Sequence, residues 1–452
     1  MKKITYIGII IAGISILACT KSQFSSRTYS TGGANFTTTL SVGNSLTQGY
    51  MDGGLYNYGQ SNSYPSIIAA QIKLAMPPNW TFNQPMVTGN GSGYIHLVYL
   101  NNQLTPIQPG DDSTAGQNPC DADPSWATWG TSLQGNTYNN LGIAGITLIN
   151  SVALTPLEGI INNVICGYQV VPLIGPSPVG NPYGRFLNFG QAGGSNQKNY
   201  IDFIRSSKAT FFTCWLGNND VLGYSINGGV IAAVTVPGFG RIPEDTITPP
   251  AIFAQKYDSI LTAFHKLGAQ GICATIPDVA SIPYFNTVPN YVMVNGAKQY
   301  LWITTKSGVR QAVSGDLITL PAYNNVTQGQ GLYKSNPLPD NLVLDVDEVA
   351  NVESTTLQYN SSIKNIAASF GYSVVDMYTF LGTLQKSYTI DGITLTAQFI
   401  QGGAFGLDGI HPNAKGYAVI ANQFIMQINA SYGSTIPLAD VSSYKGATFP
   451  NY

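Results

Sequence analysis

The stretch that decides the fold is FTTTLSVGNSLTQGY, residues 36–50. Six of its first eight residues are apolar or β-branched, and the other two are Ser41 and Gly43, which ends the run. A turn with Asn44 and Ser45 follows. A short apolar run that is bounded by Gly or Asn is typical of a strand buried on both faces, as in a parallel sheet. The turn would present Ser45 at the carboxyl edge of that sheet, which is where open α/β folds form their sites.

Four further apolar runs have the same character and alternate with helix-like segments. The predicted strands are TYNNLGIAG (137–145), KATFFTCWLG (208–217), GICATIP (271–277) and YSVVDM (372–377). The predicted helices cover residues 64–76, 250–270, 346–371 and 414–433, and the last two end at Gly371 and Gly433. Strands that alternate with helices predict βαβ units and an open α/β sheet.

Two long stretches do not follow this alternation, about 77–136 and about 281–342. The second contains QYLWITTKSGVRQAVSGDLITLP, residues 299–321, in which two strand-like runs flank a KSG turn and predict a hairpin. Insertions between core elements usually shape a pocket instead of forming a domain. We therefore expect one domain over residues 37–452 that carries both insertions.

The composition and the N-terminus predict an exported protein. The chain has 452 residues, of which 9% are charged, and a formal net charge of −2, which gives no reason to expect nucleic-acid binding. Residues 1–18 combine two lysines with an apolar run and predict a signal peptide. Cys19 follows Leu17 and Ala18 and resembles the lipidated cysteine of a bacterial lipobox, with residues 19–36 as a tether. This predicts a lipid anchor in the bacterial cell envelope, facing the periplasm or the cell surface. The alternative is an ordinary signal peptide with an incidental cysteine.

The remaining cysteines indicate no metal or redox motif, because none has CxxC spacing. Cys120 and Cys166 lie near predicted loops and could form a disulfide. Cys214 and Cys273 lie within apolar runs, so we expect them to be buried thiols.

One of the three histidines has a carboxylate at close spacing. His411 lies in GLDGIHPNAKG, three residues after Asp408. A serine hydroxyl becomes an effective nucleophile when an imidazole accepts its proton and a carboxylate orients that imidazole. The transition state also needs N–H donors for its oxyanion. Ser45, His411 and Asp408 could supply the first set, and Gly145 and Asn219, each at the end of a predicted strand, could supply donors.

The segments VGNSLTQGY, NLGIAG, GNND and DGIHP resemble, in order, the four sequence blocks of the SGNH, or GDSL, hydrolase superfamily. The resemblance implies a three-layer α/β/α sandwich with a five-stranded parallel sheet. It also implies Ser45 as nucleophile, His411 as base and Asp408 as its orienting carboxylate. The implied oxyanion donors are the N–H groups of Ser45 and Gly145 and the side-chain amide of Asn219. Neither a metal nor a cofactor is implied.

Asn44 departs from the family pattern, in which an aspartate usually precedes the serine. We expect Asn44 to tune the site, because it is not a member of the triad. Asp220 and Asn218 are expected to hold the turn around Asn219. The chain contains no GxSxG sequence, which argues against the ordinary α/β-hydrolase fold.

The resulting functional prediction is an extracytoplasmic serine ester hydrolase that acts through an acyl-enzyme. Its substrate would be a small-molecule, lipid or acylated glycan ester. Two alternatives are a carbohydrate O-acetyl esterase and a non-catalytic surface lipoprotein that binds ligands on the same scaffold. The sequence gives no indication of oligomeric state.

Overall fold

The computed structural model describes residues 28–87, 89–91, 93–100, 103–107, 138–152, 200–231, 233–236, 240–243 and 246–450. The predictions for the signal peptide, Cys19, Cys120 and Cys166 lie outside these residues. Within them, no helix combines the length and the apolar character that crossing a membrane requires.

The centre of the fold is one parallel sheet of five strands. These are β1 (Thr39–Gly43), β2 (Asn140–Gly142), β3 (Phe211–Trp215), β4 (Gln270–Ala274) and β5 (Ser373–Val375). Their order across the sheet is β5-β4-β3-β1-β2, which is the 2-1-3-4-5 order of flavodoxin-like folds. All five predicted strands are confirmed, and each is shorter than its apolar run. Strands β1 to β3 are buried along their whole length, as expected for a sheet covered on both faces.

Helices cover both faces of this sheet. The main ones are α1 (Ser45–Gln48), α2 (Tyr64–Lys73), α3 (Tyr200–Ser206), α4 (Asn219–Ile226), α5 (Pro250–Lys266), α6 (Val346–Ser369), α7 (Met377–Lys386) and α8 (Ala414–Tyr432). Helices α2 and α8 pack together, and α5 packs with α3 and α6. One group therefore contains α2 and α8, and the other contains α3, α5 and α6. Because α8 of the first group and α6 of the second both contact β4 and β5, the two groups form the outer layers. The predicted α/β/α sandwich is confirmed.

Local sequence explains where the long helices begin and end. Asp345 and Glu348 form a capping box that starts α6. Asn413 caps the N-terminus of α8 by accepting a hydrogen bond from the Gly416 N–H, and the helix ends at Gly433, which has a left-handed φ of 62°. The start of α8 is important for the site, because its cap Asn413 lies two residues after His411.

Smaller elements decorate the sandwich. Antiparallel hairpins pair His96–Leu100 with Gln103–Ile107, Ala233–Val236 with Gly240–Pro243, Tyr291–Val294 with Ala297–Tyr300, Trp302–Thr305 with Gly308–Gln311, and Tyr388–Ile390 with Ile393–Leu395. A short ladder pairs Leu317–Ile318 with Val343–Leu344, and short helices span Asn57–Ser61, Leu148–Ser151, Pro283–Asn286 and Tyr323–Thr327. The hairpin predicted around the KSG turn is the one that begins at Trp302. Its insertion has a small core of its own, which includes Leu301, Ile303 and Ile318.

The structure describes two of the cysteines and the end of the predicted tether. Cys214 and Cys273 are buried free thiols, as predicted. The predicted tether, by contrast, extends too far, because its last residues pack on the body. Gly33 donates to the Tyr432 carbonyl at 2.7 Å, and the Phe36 side chain is buried in the core. The small polar residues around Phe36 conceal this contact in the sequence.

Two glycines bring helix α1 close to the ends of the central strands. Gly43 and Gly142 are paired in register at the ends of β1 and β2. A Cβ atom on Gly142 would overlap the backbone nitrogen of Gln48, and one on Gly43 would overlap the Thr47 side chain. Only glycine therefore allows α1 to lie this close, and the position of Ser45 at its start depends on that contact.

Candidate active site

Ser45 is the first residue of helix α1, directly after strand β1. Asn44 is the N-cap, and its Oδ1 atom accepts a hydrogen bond from the Leu46 N–H at 3.1 Å. Asn44 therefore performs the capping role, which leaves the Ser45 hydroxyl available for another partner. The Ser45 N–H lies in the first turn, where a helix supplies no acceptor of its own.

The predicted triad is assembled. The Oγ atom of Ser45 lies 2.9 Å from Nε2 of His411, and Nδ1 of His411 lies 2.7 Å from Oδ2 of Asp408. Because an ionised carboxylate only accepts hydrogen bonds, Nδ1 carries the proton, and Nε2 is the acceptor for the serine hydroxyl. All three side chains are largely shielded from solvent; Ser45 is 6% exposed and His411 9% exposed.

The Asp408 carboxylate is held on both of its oxygens. Oδ1 accepts the backbone N–H groups of Ile410 and His411, each at 2.9 Å, and Oδ2 accepts the Gly53 N–H at 2.8 Å as well as the imidazole. Burial acts to raise the pKa of Asp408, but the charge of His411 and these hydrogen bonds outweigh it and lower the pKa. The group is therefore ionised, as a residue that orients an imidazole must be.

The loop that carries His411 is fixed to the start of helix α8. The Gly406 N–H donates to the His411 carbonyl at 2.7 Å, and the Asn413 amide donates to the carbonyls of Gly403 and Phe405 at 3.1 and 3.0 Å. The Tyr50 ring also packs on the imidazole, with 4.8 Å between the ring centres. Burial, followed by the charge of Asp408, raises the pKa of Tyr50 to about 12, so its hydroxyl remains neutral.

Besides Ser45, the two other predicted oxyanion donors, Gly145 and Asn219, lie on neighbouring turns. Gly145 is exposed and has a left-handed φ of 79°, a conformation that favours glycine. Its neighbour Ala144 donates to Oε1 of Gln48 at 2.8 Å, which holds this turn against α1. The Asn219 amide donates to the Ile146 carbonyl at 2.9 Å. That bond uses one of its two hydrogens, so a second N–H is left for a ligand.

Asp220 and Asn218 differ in the hydrogen bonds that they make. The Asp220 carboxylate accepts from the Leu148 N–H at 3.0 and 3.1 Å and from the Thr248 hydroxyl at 2.6 Å, so it links three segments as predicted. Asn218 contributes to this turn through its backbone carbonyl. Its amide is buried and makes no hydrogen bond within the described residues, while its backbone carbonyl accepts from Leu222 at 3.0 Å.

Sequence reasoning did not find the residues that surround the triad. The turn with Asp52 and Gly53 contacts the loop that carries Asp408, and Gln48 holds the turn that carries Gly145. An Asp-Gly pair signals a tight turn, but nothing in the sequence connects that turn to residues more than 350 positions later. Among the described residues, no group of three or more His, Cys, Asp or Glu side chains could hold a metal ion.

Comparison with known proteins gives little further information. No protein-family model matches the chain, and no curated protein matches it. Two solved structures resemble it weakly. LAE5, an alpha/beta hydrolase enzyme from the metagenome of Lake Arreo in Spain, is 13% identical with a TM-score of 0.34, over 88% of this chain and 96% of its own. An extracellular lipase from Streptomyces rimosus is 10% identical with a TM-score of 0.30, over 88% and 99%. Likeness at this level carries no argument about activity.

The buried Asp220 carboxyl should make the free energy of unfolding depend on pH. Burial raises its pKa from 3.8 to about 7, although the Thr248 and Leu148 hydrogen bonds and the charge of Lys256 act to lower it. Between these two pH values the folded chain binds more protons than the unfolded chain, so Asp220 makes stability fall as pH rises. We expect Asp220→Asn to remove this fall. Its free energy of unfolding relative to wild type should therefore increase from pH 4 to pH 7.

Urea denaturation at pH 4, 5.5 and 7 measures this difference. Asp258→Asn, which removes an exposed carboxyl on α5, controls for the loss of one charge. A difference between Asp220→Asn and wild type that stays constant over this range would contradict the prediction.

Proposed function

We propose that this chain is a serine ester hydrolase of the SGNH type, which cleaves carboxylic esters through an acyl-enzyme. The observation that carries the proposal is the continuous hydrogen-bonded path from the Ser45 hydroxyl through His411 to Asp408. The four sequence blocks and the 2-1-3-4-5 sheet order support the same conclusion. The weak structural likeness to a lipase has no part in it.

In the proposed mechanism, the Ser45 oxygen attacks the ester carbonyl carbon while His411 Nε2 accepts the hydroxyl proton. The tetrahedral intermediate collapses, the C–O bond to the alcohol breaks, and the imidazolium returns its proton to the departing alcohol. A water molecule then attacks the acyl-enzyme and gives its proton to His411. The second tetrahedral intermediate collapses, the bond between the acyl carbon and Ser45 Oγ breaks, and the imidazolium returns its proton to Ser45 as the carboxylic acid leaves. Asp408 stays ionised throughout and stabilises the imidazolium.

The oxyanion of both intermediates would be held by N–H donors at the carboxyl edge of the sheet. We assign the N–H groups of Ser45 and Gly145 and the second amide hydrogen of Asn219 to this role. The N-terminus of α1 adds the favourable end of its dipole at the same place. Because the Asn219 amide is already fixed by the Ile146 carbonyl, it would not have to reorient during the reaction.

We assign the acyl group of the ester to an apolar cavity that is lined by sequence neighbours of Ser45 and His411 and not by the triad side chains themselves. The residue after Ser45 and both neighbours of His411 line it, namely Leu46, Ile410 and Pro412. Helix α7 also lines it, with Phe380, Leu381 and Leu384. Its volume is about 70 Å³. A cavity of about 150 Å³ accommodates a benzene ring, so this one has room for only a few carbon atoms.

A second candidate within the same chemistry is an O-acetyl esterase that acts on glycans. A cleft of about 520 Å³ is lined by Tyr56, Tyr58 and Tyr94 together with polar side chains, and it adjoins the Asp408 loop at Leu407. Of these three, Tyr58 is 39% exposed, and an exposed tyrosine suits ligands with both apolar faces and hydroxyl groups. Together, the small acyl cavity and this cleft favour an acetylated glycan over a long-chain lipid.

The nucleophile can be tested with a fluorophosphonate probe, which reacts with activated serines. We expect the wild-type chain to be labelled, and we expect Ser45→Ala to lose labelling together with a factor on the order of 10³ or more in ester hydrolysis. Ser281 is a matched control. It is 7% exposed, but its hydroxyl donates to the Asp278 carbonyl, so Ser281→Ala should label like wild type. Labelling that persists in Ser45→Ala, or a folded wild type that is not labelled, would contradict the proposal.

The cavity predicts acyl-chain preference. In a p-nitrophenyl ester series from acetyl to palmitoyl, we expect kcat/KM to be highest between acetyl and butyryl and to fall for longer chains. Leu384→Ala enlarges the cavity and should shift the optimum toward longer chains, since each buried methylene is worth about 0.8 kcal/mol. Leu357→Ala removes an exposed leucine on α6 and is the control. An optimum at long chains in wild type would contradict the assignment of this cavity to the acyl group. Faster release of acetate from an acetylated polysaccharide than from the p-nitrophenyl acetyl ester would favour the O-acetyl esterase.

The proposed location is the bacterial cell envelope, through lipidation of Cys19. Support for this comes from the sequence alone. We expect Cys19→Ala to move the protein from the membrane fraction to the soluble fraction in a bacterial host, while labelling of Ser45 is retained. Equal membrane association of the variant and wild type would contradict a lipid anchor at Cys19.

A further inference from the structure

A tight turn after helix α1 holds the loop that carries the catalytic carboxylate. Met51 and Gly54 form an antiparallel bridge with two backbone hydrogen bonds of 3.0 Å, and Asp52 and Gly53 lie between them. Asp52 has a left-handed φ of 52°, which is uncommon for a residue other than glycine. A conformation of this kind persists when surrounding contacts require it.

Both residues of the turn bind the Asp408 loop. Oδ1 of Asp52 accepts the Leu407 N–H at 2.6 Å, and the Gly53 N–H donates to Oδ2 of Asp408 at 2.8 Å. This Oδ2 atom is the oxygen that accepts the proton-bearing nitrogen of His411. The turn therefore fixes the carboxylate at the atom on which the orientation of the imidazole depends.

Neighbouring residues allow this approach and hold the Asp52 side chain. A Cβ atom on Gly406 would lie 2.7 Å from Oδ1 of Asp52, so glycine at this position leaves room for the carboxylate. The other carboxylate oxygen accepts the Tyr56 hydroxyl at 2.9 Å. Hydrogen bonds thus fix both carboxylate oxygens of Asp52, and one of these oxygens binds the Asp408 loop.

This inference rests on the proposed function. We propose that Asp52 is a positioning residue for the catalytic base, and that it holds Leu407, and through it Asp408, in the place where the carboxylate orients His411. Asp52 does not touch the reacting atoms, and its role is to accept one backbone hydrogen bond in a fixed direction. Because a displacement of about 1 Å near a reacting group can cost about 10²-fold in rate, loss of this bond should appear in kcat.

Two substitutions separate the hydrogen bond from the backbone conformation. Asp52→Gly removes the acceptor but suits the left-handed backbone, so the turn itself should form. Asp52→Asn keeps an acceptor oxygen for Leu407 and also tolerates this conformation. We expect Asp52→Gly to lower kcat and the rate of fluorophosphonate labelling by about 10- to 100-fold, with KM changed by less than about threefold. Asp52→Asn should stay within about threefold of wild type on all three quantities.

The chain contains a matched control. Asp391 also precedes a glycine in a tight turn, has a φ of 50°, and accepts one backbone N–H from a distant residue, that of Val441 at 2.8 Å. Asp391→Gly therefore makes the same chemical change in the same kind of turn, away from the triad. It should leave kcat and labelling within about twofold of wild type, and thermal unfolding of all variants reports whether each one is folded.

The possible outcomes distinguish this inference from the function on which it rests. Wild-type kcat in Asp52→Gly would overturn it, and so would an Asp52→Asn variant as slow as Asp52→Gly, because the acceptor is retained there. An equal loss in Asp391→Gly would reduce the effect to general destabilisation and overturn it too. Wild-type protein that neither hydrolyses esters nor reacts with the probe would overturn the proposed function itself.

Discussion

The hydrogen bond between Ser45 Oγ and His411 Nε2 is the interaction on which the site depends, and it joins residues 366 positions apart. A distance of 2.9 Å can be kept only if both ends are fixed independently. At the serine end, Gly43 and Gly142 let helix α1 lie against the sheet edge. At the histidine end, Asn413 fixes the loop to the first turn of α8. The α/β/α sandwich holds the Ser45 end and the His411 end at a fixed distance from each other.

Side-chain amides link helices α6 and α8 to backbone segments elsewhere in the fold. Asn360 on α6 accepts the Ile276 N–H and donates to the Ile276 carbonyl, at 2.7 and 2.8 Å, and Asn422 on α8 does the same for Ala439. A side-chain amide can both donate and accept, so one residue satisfies a whole backbone peptide position. Such pairs avoid the desolvation cost of buried charges, and the Asn360 pair links α6 to the segment that follows strand β4.

The segments around Ser45 and Asn219 keep several polar atoms without partners. Within the described residues, the amide nitrogens of Asn44 and Gln48 and both amide atoms of Asn218 are buried and make no hydrogen bond. A buried donor without a partner costs about 1–3 kcal/mol, and departures of this kind concentrate at functional sites. Asn44 shows how an asparagine is accommodated where the SGNH sequence block that this segment resembles has an aspartate. Its oxygen caps α1 as a carboxylate would, and its nitrogen is the atom left over.

The sequence by itself determined the sheet, the main helices and the identity of the three triad side chains. Strand runs, glycine ends and the spacing of Asp408 and His411 are local features, and local features can be read from a sequence. The tertiary structure decided what no local pattern contains. It brought Asp52 and Gly53 into contact with the Asp408 loop, and it packed the end of the predicted tether on the core. It also left the Asn218 amide without a partner. These contacts join segments far apart in the chain, and their partners are fixed only when the sheet and its covering helices bring those segments together.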